Sequence, residues 1–367
     1  MVAFAGCARL LLPQLADKGT THLWPQCGGA SARTNEIAAE LVPPLELVWQ
    51  RKATAGIGPT LLANGGNIFC PTKDGHLLVV DAVSGKKVVQ KKFRPGFEIT
   101  CALQEDLLVV ARRHGNPSLS LHDLSDGHML WSAAAGSIET EPLIVDGRLI
   151  VAAEEKRLIA YELRSGKVLW SLNTEDNLRS TPACAGDKVV FGSDDGRVRA
   201  VDVHKGTLIW QYRTGGAILA APAIGHGTVY VGSTDRSFYA LSLDSGIVRW
   251  VFPTGGRIRH GAAVADSVVI FGSNDHSLYC LSLRNGSERW RFQAKSIIST
   301  PPLVAGKVVY VGSLDQHVYA LELESGRELW KYDTGGRVRT APLVACDRLF
   351  VAAEGNRILA FRAKGGA

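Results

Sequence analysis

The stretch Lys307 to Trp330 reads KVVYVGSLDQHVYALELESGRELW, and its reading decides the fold. KVVYVGS is rich in Val and Tyr and predicts a strand, ended by a tight turn at Leu314-Asp315. HVYALEL predicts a second strand, Glu324-Ser325-Gly326 a second turn, and Arg327 opens a third strand that carries Trp330. The same text recurs with Trp170, Trp210, Trp250, Trp290 and Trp330 each 40 residues after the last. A supersecondary unit repeated at that period builds a solenoid or a radial array, not a series of unrelated domains.

Working outward, the tryptophan alignment has eight positions: Trp49, Gln90, Trp131, Trp170, Trp210, Trp250, Trp290 and Trp330. Each is followed by a short loop and an apolar strand, often introduced by Thr-Pro or Ala-Pro, as in STPACAGD (180–187) and TAPLVACD (340–347). Four strands every 40 residues predict a β-propeller blade. There are eight inner strands, but the last three strands, ending at ILAFRA (358–363), lack a fourth, and LELVWQR (45–51) lacks the three before it. The expected fold is therefore all-β, an eight-bladed propeller of four-stranded antiparallel blades, with the N-terminal strand completing the last blade. Such closure removes the open sheet edge. The propeller is expected over 45–363, with a start and tether over 1–44 and a tail over 364–367. Gln90 and the stretch 114–127 depart from the repeat, so the second blade is expected to be the irregular one.

Composition narrows the function classes. A net charge of +6 on 367 residues, without a basic block, argues against nucleic-acid binding. No run of 18 apolar residues is present, so no helix is expected to span a membrane. The seven cysteines include no C-x-x-C pair and read as small buried residues. No G-x-S-x-G, H-E-x-x-H, P-loop or EF-hand spacing occurs, so no catalytic, cofactor-binding or metal site is expected.

The recurring residues have architectural explanations. Trp49, Trp131, Trp170, Trp210, Trp250, Trp290 and Trp330 should pack across the seams between blades. Informative positions are those the repeat leaves free. In the loop leading into each inner strand stand Gly56, Glu98, Glu139, Arg179, Leu219, Arg259, Ser299 and Arg339, expected around one mouth of the channel. With Arg257 and Arg337, blades 4, 6 and 8 form a basic arc, and Glu98 and Glu139 an acidic one. The residue before, such as Leu178 or Ile258, is apolar: either structural or an apolar ring beneath the charged rim. Arginine suits protein recognition because its planar fork pairs with carboxylates and stacks.

The pattern of VYALELESGRELW resembles the PQQ-like, or tryptophan-docking, repeat family over nearly the whole chain. One branch of that family is the quinoprotein alcohol dehydrogenases, whose adjacent-cysteine disulfide and cofactor-walling insertions have no counterpart here. The other is the BamB family of outer-membrane assembly lipoproteins. That resemblance implies a non-catalytic, monomeric periplasmic scaffold that binds the periplasmic part of an outer-membrane barrel-assembly subunit. Asn177-Leu178-Arg179-Ser180-Thr181-Pro182 is similar to the family's partner-binding loop, which makes Leu178 and Arg179 partner-binding candidates with Arg257, Arg259, Arg337, Arg339, Glu98 and Glu139. Phe4-Ala5-Gly6-Cys7 resembles a lipobox, with Cys7 the lipidation candidate, the rest of the signal expected upstream of Met1, and a lipid anchor the expected link to the membrane. The alternative readings are a quinoprotein dehydrogenase and a sensory or ligand-binding propeller of a larger system.

Overall fold

The structure is a computed structural model, and it describes residue 26, residues 28–94 and residues 97–365. Cys7 lies outside the described residues. Eight sheets stand in chain order as blades 1 to 8, each with its first strand innermost. In blade 4 the strands are Ala183–Ala185, Lys188–Gly192, Arg197–Asp202 and Leu208–Arg213, all antiparallel. Alternating Val, Phe and Ala residues bury the two middle strands on both faces, while the outer strand alternates exposed and buried. Blade 8 joins Leu343–Ala345, Arg348–Ala353 and Arg357–Ala363 to Leu45–Lys52. The N-terminal strand therefore closes the ring. Blade 2 has an inner strand of six residues, Ile99–Gln104, where its neighbours have three, whereas Gln90 stands in Lys87–Lys92, the outer strand of blade 1, so that departure does not belong to the second blade.

The core lies at the seams. Leu143, Ile150 and Trp170 of blade 3, for example, pack with Cys184, Val189 and Phe191 of blade 4. Each tryptophan ring reaches into the following blade, and its indole N–H donates there to a backbone carbonyl: Trp170 to Val203 at 2.9 Å, Trp210 to Leu243 at 2.7 Å and Trp290 to Leu323 at 2.8 Å. This satisfies the one polar group of a large apolar side chain. Cys70, Cys101, Cys184 and Cys280 are buried free thiols, and burial raises the Cys280 pKa to about 12.

Residues 28–41 are no tether; they are folded onto the propeller. The carbonyls of Ser31, Ala32, Thr34 and Asn35 accept from the amides of Cys184, Ile224, Val264 and Val304, the same position in blades 4, 5, 6 and 7. Gln26 makes the matching contact in blade 3, its Oε1 accepting from the Ile144 amide at 3.1 Å. Glu36–Ile37 then runs parallel to Leu303–Ala305 as a fifth strand of blade 7. The segment thus runs along the inner strands of blades 3 to 7 in turn. Buried amides on inner strands demand partners, and this segment supplies them.

Candidate functional site

The loops entering the inner strands gather at one mouth of the channel. The isolated bridges Ile57 to Thr72, Ile298 to Ser313 and Val338 to Ala353 fix the equivalence between blades. They make Gly58, not Gly56, the blade 1 member of the ring that contains Ser299 and Arg339. Blade 1 thus has a notch where other blades carry a side chain. The apolar position before the ring is structural. Ile298 is buried, and a Cβ on Gly272 would lie 2.3 Å from its Cγ2, so only glycine admits it. Leu178 is likewise buried at the blade 3–4 seam and has no surface to offer a partner.

A second ring sits on the turns between the second and third strands: Lys73, Arg113, Glu154, Asp194, Thr234, Asn274, Leu314 and Glu354. It pairs with the first ring at a fixed separation of 15 residues. Arg113 Nη1 donates to Glu98 Oε2 at 2.9 Å, Arg179 Nε to Asp194 Oδ2 at 2.9 Å, and Arg339 Nε to Glu354 Oε1 at 2.9 Å. In blade 3 both ring positions are acidic, Glu139 and Glu154, and Arg113 pairs with Glu139 and lies 3.8 Å from Glu154. Burial and the neighbouring Glu154 raise the Glu139 pKa. Hydrogen bonds from Ser137 and Glu139, with the Arg113 charge, hold Glu154 low against the opposing effect of burial. The expected basic and acidic arcs are therefore a set of interlocked ion pairs. Arg257 and Arg259 differ: both are exposed, and among the described residues neither forms an ion pair.

Blade 4 has an anchor that sequence reading missed. In blades 5, 6 and 7 the turn aspartate accepts from a tyrosine hydroxyl four residues on, as from Tyr239 to Asp235 at 2.7 Å. In blade 4 Arg199 replaces that tyrosine and donates to Asp195 at 2.6 Å, joined by Arg197 at 2.8 Å. Despite burial, these bonds and one from Ser193 push the Asp195 pKa far down. The signal was available as Arg against Tyr at a fixed repeat position.

Two cavities open at the mouth, on either side of the blade 1 notch. One, of about 260 Å³, is lined by Lys73, Glu98, Arg113, Glu139 and Arg179 among others. The other, of about 230 Å³, shares Gly58, Pro59 and Lys73 and has Arg337, Arg339 and Glu354 on its far side. Glu141 of blade 3 lies buried, accepting from Thr60 Oγ1 of blade 1 at 2.7 Å and from Thr181 of blade 4. No aromatic ring lines either mouth cavity among the described residues. A planar quinone cofactor is held by stacking on an aromatic ring, and these linings offer none, although Lys73, shared by both cavities, forms no ion pair among the described residues.

The family described as outer membrane protein assembly factor BamB matches residues 73–291 and 253–367. The chain belongs to that family. No curated relative matches the sequence. Among solved structures, BamB from Moraxella catarrhalis superposes with a TM-score of 0.73 at 19% identity, covering 87% of this chain and 99% of that one. A computationally designed protein, Ika8, gives 0.77 at 16% identity, covering 85% and 98%. A europium-containing methanol dehydrogenase gives 0.81 at 13% identity, covering 93% and 91%. The BamB family and the quinoprotein dehydrogenases share this propeller, so the fold alone assigns no chemistry.

Proposed function

We propose that this chain is a non-catalytic scaffold outside the cytoplasm that holds a protein partner against its charged mouth, as part of outer-membrane protein assembly. The observation that carries this reading is the BamB family match over residues 73–367. The rim supports it with a specific chemistry. Arg257 and Arg259 present guanidinium groups with no internal carboxylate to compete for them, which suits an acidic patch on a partner. Arg179 and Arg339 are already paired and serve to stiffen the loops. The partner is a periplasmic domain of the outer-membrane barrel-assembly subunit, and lipidated Cys7 tethers the scaffold to the membrane.

The test is a binding titration of the purified chain against the soluble domains of that barrel subunit. Arg259→Glu should weaken binding by roughly tenfold or more, the scale of one lost charge-assisted contact, with the unfolding midpoint unchanged. Arg179→Glu should lower the midpoint as well, because it sets a second carboxylate against Asp194. Absence of binding by the unmodified chain, or equal binding by Arg259→Glu, overturns the reading. Turnover of an alcohol on addition of quinone and a divalent cation would replace it with the dehydrogenase alternative.

A further inference from the structure

The face opposite the rim carries a different departure from the repeat. In each outer strand one residue is skipped in the pairing register, a β-bulge beside the tryptophan position. The bulged residues are Val48, Val88, Leu130, Leu169, Ile209, Arg249, Arg289 and Leu329. Six are apolar. The two arginines fall on adjacent blades, 5 and 6, and both line one cavity of about 500 Å³ between those blades. Arg284, on the blade 6 turn, lines it too, with His226 and Asp266.

We infer that this cavity binds a phosphate-bearing anion. Three arginines line it, and the hydrogen bond of Arg249, from Nη2 to the Gly227 carbonyl at 3.2 Å, leaves its other donors available. Asp266 stands at the blade 6 turn, with Glu36 close enough to feel its charge, so the anion seats toward the three arginines. Asp244, on the neighbouring blade 5 turn, is drawn away by Lys188 at 3.3 Å. Guanidinium forks match the oxygen geometry of phosphate, and clustering them at a cavity between two repeats has no architectural purpose that the other six blades share. The phosphate can belong to a lipid headgroup or to a soluble organophosphate. The same face carries exposed apolar side chains at the start of the outer strands of blades 3 and 4, Val168, Leu169, Leu208 and Ile209, which a lipid surface would cover.

The experiment titrates the full chain with inorganic phosphate at fixed ionic strength, and with vesicles of phosphatidylcholine with or without phosphatidylglycerol. The test variant is R249L/R289L, which installs the residue type that other blades carry there and so should fold. K307L/K331L, on blade 7, removes the same charge elsewhere. Loss of about tenfold in phosphate affinity per arginine is expected in the first variant only. Vesicle binding that needs phosphatidylglycerol and is lost in R249L/R289L identifies a headgroup as the source. Phosphate binding without vesicle binding identifies a soluble ligand. Failure of the unmodified chain to bind either, or equal losses in both double variants, overturns the inference.

Discussion

At the scale of single residues, the repeat's signature pair is a mutual steric constraint. Gly286 has φ of +71°, and a Cβ there would lie 2.6 Å from two ring carbons of Trp250. Gly147 has φ of +69° with nothing within 4 Å of the same point. Gly286→Ala should therefore cost about 1–3 kcal/mol more than Gly147→Ala, since both pay for left-handed backbone but only one overpacks a ring. Comparing urea midpoints of the two variants measures the difference. Buried His122 and partly buried His260 make a second residue-scale prediction. Burial, then the Lys91 and Arg112 charges, pushes the His122 pKa down to about 3; burial, with Arg259 and Arg339, pushes His260 down to about 4. The unfolded chain binds these protons near the ordinary value of 6.5, ahead of the folded chain. The neutral imidazoles thus leave stability intact above that value, and it is lost as pH falls through the window toward 3 to 4. His122→Gln should remove about 1–2 kcal/mol of the stability difference between about pH 7 and about pH 5. A denaturation series at the two pH values decides it; an unchanged slope would mean that His122 titrates normally.

At the scale of elements, the strands were legible and the N-terminal segment was not, for one physical reason. Strands show in sequence because alternate residues face the core, and the repeat prints that alternation eight times over. The segment 28–41 follows the circumference of the channel, so its acceptors Ser31, Ala32, Thr34 and Asn35 are spaced by the distance between blades, not by a strand period. Its Gly and Ala content therefore reads as a leader. Charge pairing across the rim was also hidden, although Glu98 with Arg113, Arg179 with Asp194 and Arg339 with Glu354 share a separation of 15 residues that a repeat alignment could expose. The capping role is testable by hydrogen exchange. Deleting residues 1–39 should speed exchange at the amides of Cys184, Ile224, Val264 and Val304, and leave Val344 of blade 8 much less affected. Uniform acceleration in all blades would show that the segment supports the ring only globally.

At the scale of the molecule, function and stability are both set by closure. The departures that suggest function, Arg257 and Arg259 on one face and Arg249 and Arg289 on the other, have meaning because a closed ring fixes their neighbours. Strand Leu45–Lys52 closes that ring in three ways. It completes the sheet beside Arg357–Ala363, its Leu45 carbonyl accepts from Trp330 Nε1 at 3.1 Å, and its Trp49 donates to the Ala82 carbonyl of blade 1 at 3.2 Å. Removing it would leave a seven-residue edge strand, RILAFRA, unpaired and mostly apolar, which is a template for pairing with a second chain. Deleting residues 1–52 should therefore turn a monomer into oligomers, read by size-exclusion chromatography with light scattering. Trp49→Ala should stay monomeric, because the edge remains covered, while losing about 3 kcal/mol from the truncated ring. A synthetic peptide spanning 43–54, added in excess, should return the deleted chain to the monomer by filling the same edge in register. If the deletion stays monomeric without the peptide, blade 8 is stable as three strands, and closure rests on the tryptophan seams alone.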